Sequence, residues 1–168
     1  MLDSGFVLAL DTSGDWKFIA GVVIKYMAIF DIGRHIASIN HRLRKKIIIR
    51  VLNYIDKNCY GICVKTDLRQ KVRKLRLAKN RKKWAWEYGV FLELKRIALH
   101  LKSRGLWPIT EVYADGEFQH FTRQIAINFN TNLIRIGKYP EVVLADILAY
   151  TNFAQRNIIR KYKNIIEL

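Results

Sequence analysis

Acidic residues are scarce in this chain. Fourteen Asp and Glu face thirty Lys and Arg, leaving a formal net charge of +16 at pH 7 and a pI near 10.1. Cysteine occurs twice, as Cys59 and Cys63, spaced CxxxC without a second pair. That number excludes a disulfide scaffold, and no tight His motif supplies the rest of a four-ligand zinc site. The two thiols are therefore expected to be buried, free, and in a reducing compartment. Proline also occurs twice, at Pro108 and Pro140, leaving long stretches open to helix. No run of eighteen apolar residues occurs, so no membrane-spanning helix is expected. The start, Met1-Leu2-Asp3-Ser4, has no basic leader region, and Asp11, Asp15 and Lys17 interrupt any apolar one. These features predict a cytoplasmic protein.

What is present is an ordinary apolar content, 51%, in 168 residues, enough for one domain with its own core. The excess of positive charge is lopsided, and such a field attracts polyanions, nucleic acid above all. A basic run from Lys65 to Lys83 concentrates it: Arg69, Lys71, Arg73, Lys74, Arg76, Lys79, Arg81, Lys82 and Lys83 are candidate phosphate contacts. Trp84, Trp86 and Tyr88 follow directly; they would either stack on bases or anchor a helix to the core, and the core is favoured for the two tryptophans. No compact sequence-reading motif such as a zinc finger occurs, so recognition of shape is expected.

The apolar pattern predicts strands over Phe6–Asp11, Trp16–Lys25 and Tyr26–Ile32, joined by short turns as an antiparallel meander. From Arg34 to about Lys57, Ile36, Ile39, Leu43, Ile47, Val51 and Ile55 recur at helical spacing. A short strand is expected at Gly61–Lys65. Residues 67–104 read as two helices broken near Asn80 or Gly89, ended by Gly105 and Pro108. Strands follow at Thr110–Asp115 and Leu133–Ile136. A terminal helix from Glu141 to about Tyr162 has Pro140 at its first position.

Asp11 closes the first apolar run, in Leu8-Ala9-Leu10-Asp11-Thr12-Ser13-Gly14-Asp15. A carboxylate at the end of a buried strand is costly unless something positive meets it. Asp115 ends another predicted strand, and Asp146 lies within Val143-Leu144-Ala145-Asp146-Ile147-Leu148. Each also has a plain reading: Asp-Thr-Ser is good turn chemistry, Asp115-Gly116 suits a hairpin, and a helical Asp can simply face solvent.

With these pieces in this order, the chain resembles the ribonuclease H-like superfamily. Within it, the likeness is to prokaryotic nuclease-like families whose first strand ends Asp-x-Ser-Gly-Asp and whose last helix carries Leu-Ala-Asp. The resemblance implies a single domain over 1–168, with a basic helical insertion around 67–104. It implies an α/β mixed sheet, a three-strand antiparallel meander plus parallel strands, flanked by helices. It further implies a metal-dependent nuclease acting on RNA, DNA or a hybrid. Asp11, Asp115 and Asp146 would then be catalytic ligands of two Mg²⁺ or Mn²⁺ ions, as two-metal phosphodiester cleavage requires.

Ribonuclease H itself carries a further Glu on its first helix. Here that helix has no acid before Asp56, so Asp15 is the leading substitute, ahead of Asp31, Glu117 and Glu141. His120 is a candidate proton shuttle or an exposed histidine, and His35, His41 and His100 are expected on helix surfaces. The competing readings are a non-catalytic nucleic-acid-binding protein on the same fold and a PIN-type nuclease. The second is disfavoured because Trp16–Ile24 continues as strand where that fold has a helix.

Overall fold

A computed structural model describes residues 5–25 and 36–168. A six-stranded sheet organises them, with spatial order β5-β4-β1-β2-β3-β6. Strands β1 (Phe6–Ser13), β2 (Phe18–Ile24) and β3 (Cys59–Lys65) pair antiparallel. Strands β4 (Ile109–Ala114) and β5 (Ile134–Ile136) extend the sheet in parallel from β1, and β6 (Ile165–Glu167) pairs parallel with β3. The helices are α1 (His41–Asn58), α2 (Leu68–Lys74), α3 (Lys79–Ser103), α4 (Thr122–Phe129), α5 (Pro140–Ala154) and α6 (Arg156–Ile159). No described helix is long and apolar enough to cross a membrane.

Strand alternation sorts the core onto two faces of the sheet. Leu8 and Leu10 of β1 face a layer built from α3, α4 and the 3₁₀ turn Gly116–Phe121, with Leu94, Ile97, Phe118, Ile125 and Phe129. Ala9 faces the opposite layer of α1, α5 and α6, with Ile48, Leu52, Leu144 and Leu148. Strand β2 is buried along all seven residues because both layers cover it. Val90, Leu94, Ile97, Ala98 and Leu101 tie the C-terminal half of α3 into the core. Its N-terminal half carries the exposed cations.

Several elements depart from the pattern in the sequence. The strand expected at Tyr26–Ile32 lies outside the described residues, as do Asp31, Arg34 and His35. The third antiparallel strand is β3, reached only after α1. Helix α1 begins at His41, not near Arg34: Ile36–Ser38 forms a 3₁₀ turn, and the Asn40 side chain caps the helix by accepting the Arg42 N–H at 2.9 Å. The break in the basic segment falls at 75–78, just before Asn80, while α3 runs straight through Gly89. Gly89 faces the tip of the Leu68 side chain, where α2 packs on α3.

Two further elements had not been expected. The 3₁₀ turn and α4 follow Asp115, although Phe118, Phe121, Ile125 and Phe129 already stand at helical spacing. The terminal helix stops at Ala154, eight residues short of Tyr162, so that the chain can return through α6 and add β6 beside β3. Asp56, the one acid on α1, serves that return: its carboxylate accepts the Asn164 N–H at 2.7 Å.

Both cysteines are buried and free as expected, and burial pushes the Cys59 thiol up to about 11. His41 is exposed, but His100 is not a plain surface residue. It stacks on Tyr60, with Nε2 2.9 Å from the Tyr60 hydroxyl.

Candidate active site

The parallel register of β1 and β4 sets Leu10 opposite Ala114; β4 ends there, so Asp115 leaves the sheet beside Asp11, while β1 continues against β2 to Ser13. The Asp115 N–H donates to the Leu10 carbonyl at 3.0 Å and fixes that placement. By alternation with Leu10, the Asp11 side chain projects toward the α5 layer. Helix α5 crosses β1 there with two small residues, Ala145 and Ala149, which allow close approach. The Ser13 hydroxyl donates to the Ala149 carbonyl at 2.6 Å and locks the helix in register. Asp146 thereby arrives from the far end of the chain, and its Oδ2 accepts the Ile36 N–H at 3.0 Å.

A fourth acid comes from the turn after β4. Asp115 caps the 3₁₀ turn by accepting the Glu117 N–H at 3.1 Å. The Glu117 carboxylate in turn accepts the Thr12 hydroxyl at 2.9 Å, one residue beyond Asp11.

Asp11 is 3% exposed. Burial holds its carboxyl well above the usual range, and the negative charges of Asp115, Asp146 and Glu117 raise it further; the Thr12 N–H, donated at 2.7 Å, works the other way. Its second oxygen, Oδ2, is buried with no hydrogen-bond partner. An unmet buried carboxylate oxygen costs on the order of 1–3 kcal/mol or more, so Oδ2 is a buried polar atom left without compensation. The donor set is all carboxylate, the chemistry that suits hard divalent ions. As they stand, however, no three acid, His or Cys side chains among the described residues are grouped closely enough to enclose an ion.

No known family's sequence profile matches this chain, and no curated protein matches it. Among solved structures, it is similar to a chain of the complex of PCNA with RNase HII from Archaeoglobus fulgidus. The TM-score is 0.55 at 16% identity, covering 93% of this chain and 76% of that one. The fold is ribonuclease H-like. The neighbour is an RNase HII, and at this identity the likeness is one of fold.

On this ribonuclease H-like sheet, Asp11 stands on β1, Asp115 just after β4 and Asp146 on α5, and the charges of the latter two reach Asp11. Asp15 is not part of the group. It sits in the β1–β2 turn and pairs with Arg69 of α2 at 2.6 Å, and the fourth acid whose field reaches Asp11 is Glu117. The signal for Glu117 was its position two residues after Asp115, in an Asp-Gly-Glu turn.

That same β1–β2 turn has three successive left-handed residues, Gly14, Asp15 and Trp16, with φ of 62°, 56° and 64°. A Cβ on Gly14 would press into the Phe153 ring at 2.8 Å, so both the conformation and the space require glycine. The strained turn drives Trp16 inward, where it meets Trp86 of α3 and both Phe118 and Phe121 of the 3₁₀ turn, at centroid distances of 5.6, 5.0 and 5.4 Å. One indole thus joins the acid strand, the acid-bearing turn and the basic helix.

The cations divide between α2 (Arg69, Lys71, Arg73, Lys74), the connecting Arg76, and the first turns of α3 (Lys79, Arg81, Lys82, Lys83). Trp86 packs against the core as expected. Trp84 does not: it is 65% exposed, stacked on Tyr88 at 5.3 Å. His120 is exposed at the end of the 3₁₀ turn.

Proposed function

We propose that this protein is a metal-dependent nuclease that hydrolyses phosphodiester bonds of nucleic acid, with Asp11, Asp115, Asp146 and Glu117 as the acids that hold Mg²⁺ or Mn²⁺. The observation that carries the reading is Asp11: a buried carboxylate with an unpartnered oxygen, surrounded by three other acids, in a chain of net charge +16. Two bound ions would supply an activated water and stabilisation of the leaving oxygen. Asp11 would hold the ions together with Asp115 and Asp146, whose charges already reach its carboxyl. Thr12 orients the Glu117 carboxylate, and the Ser13 bond to α5 keeps Asp146 at its distance from β1. The cations of α2 and α3 draw in the phosphate backbone and hold it against the acids.

The second reading is a nucleic-acid-binding protein of the same fold without catalysis. It is favoured by the acids not standing as a ready three-ligand cage. Asp11→Asn separates the two. Under the first reading, Mg²⁺- or Mn²⁺-dependent cleavage of RNA, DNA or hybrid substrates falls on the order of a thousandfold, while binding persists or tightens. Wild-type protein that binds all three substrates and cleaves none would establish the second.

A further inference from the structure

Between α2 and the first half of α3 on one side, and the 116–121 turn on the other, lies a cleft of about 520 Å³. Its position links the acid-bearing turn to the cationic helices. One rim is Glu117 and His120, on the turn that leaves Asp115, and Glu117 bonds the residue next to Asp11. The other rim is cationic: Arg69, Arg73, Lys82 and Lys83 against one acid on that side, Glu87. Trp86 forms an aromatic wall, with the Arg69 guanidinium 5.5 Å from its ring centroid. Arg69 is occupied by Asp15, but among the described residues no ion pair engages Arg73, Lys82 or Lys83.

The volume of the cleft falls in the range of small-ligand pockets, about 300–1,000 Å³, the scale of one nucleotide. Unpaired cations beside aromatic rings make up the chemistry that grips a single nucleic-acid strand, phosphates on the charges and bases on the π-faces. An acidic peptide would use the cations and leave the aromatic wall idle.

We propose that this cleft seats an unpaired nucleotide of a single-stranded segment. Its phosphate lies on Arg73, Lys82 and Lys83, and its base lies against His120 and the part of Trp86 that lines the cleft. The strand then runs past Glu117 toward Asp11. This rests on the nucleic-acid reading above and narrows its substrate to one with a single-stranded stretch beside the acids.

The test is fluorescence anisotropy in EDTA, so that binding is read without cleavage, using labelled oligothymidylate and a blunt duplex of the same length. The single strand is expected to bind more tightly and to quench tryptophan fluorescence. Replacing Arg73, Lys82 and Lys83 together by Ala should weaken single-strand binding by about tenfold or more and largely abolish the preference over duplex. Replacing Arg42, Lys45 and Lys46 by Ala removes the same charge from α1, on the opposite face of the sheet, and should leave the preference intact. His120→Ala, at an exposed position that carries no folding risk, should reduce quenching and single-strand affinity about threefold or more.

Equal losses from the two triple variants, equal affinity for both nucleic acids, or displacement by polyglutamate as efficient as by oligothymidylate would each overturn the cleft. Asp11→Asn keeps the two proposals distinguishable. If it cleaves normally while the cleft variants lose the single strand, the nuclease site is wrong and the cleft stands. If it abolishes cleavage while the cleft variants bind normally, the reverse holds.

Discussion

The acid group and the basic arm are built on opposite plans. The acids are few, gathered from β1, the end of β4, a 3₁₀ turn and α5, residues separated by up to 135 positions between Asp11 and Asp146. The cations are many and consecutive, on two adjacent helices, and largely exposed. Charge that is exposed is nearly free to place, because water screens it. Charge that is buried among like charges must be held in position by the whole fold. A basic arm therefore tolerates loss one residue at a time, while the acid group depends on single atoms.

The largest effect is expected for Asp11→Asn, whose loss of cleavage should exceed that of replacing any single cation. Next is Trp16→Ala, which removes the indole joining the two regions and should destabilise by about 3–5 kcal/mol. A fall in the urea midpoint without change in the slope would register it. A shift near zero would show that the acid strand and the basic helix are coupled by something else.

The third prediction concerns pH. In the metal-free protein, burial and then Asp115, Asp146 and Glu117 hold the Asp11 carboxyl above its unfolded value, so the folded state keeps its proton longer. The destabilisation is absent below the unfolded carboxylate pKa of about 3.9 and grows as pH rises through the raised folded value. Asp11→Asn removes it. The variant's gain in melting temperature over wild type should therefore be larger near about pH 8 than near about pH 4, and Mn²⁺ should raise the melting temperature of wild type more than that of the variant. A gain that is flat across pH would remove Asp11 from the acid group.

The smallest effect is expected at Asp15. Its pair with Arg69 is exposed on both sides, so Asp15→Ala should cost less than about 1 kcal/mol in chemical denaturation. A loss of cleavage comparable with that of Asp11→Asn would instead return Asp15 to the metal ligands.

The basic arm was legible because it depends on local composition: a cationic run and a glycine and a proline after Arg104, with the break between its helices left open between Asn80 and Gly89. An acid closing the first apolar run was legible for the same reason, although the strand itself runs two residues past Asp11 to Ser13. Helix α4 was missed although Phe118, Phe121, Ile125 and Phe129 carried its period, because Asp115-Gly116 also reads as a plain hairpin turn. Strand β6 is three residues long and acquires its identity only by pairing with β3. Trp84 and Trp86 are two residues apart on one helix, and which of them turns to the core depends on where Trp16 stands.

By itself, the sequence determined the charge of the protein, the alternation of strands and helices, and three acids worth attention. Only the tertiary structure decided which acid, besides Asp115 and Asp146, acts on Asp11 with its charge. From sequence, Asp15 is four residues from Asp11 and looks the nearer partner; in the fold it turns away to Arg69. Glu117, 106 residues along the chain, is brought beside Thr12 by the parallel pairing of β1 with β4. The physical reason is that proximity along a chain is local geometry, whereas proximity around a buried charge is set by strand register and by how closely a helix can approach a sheet.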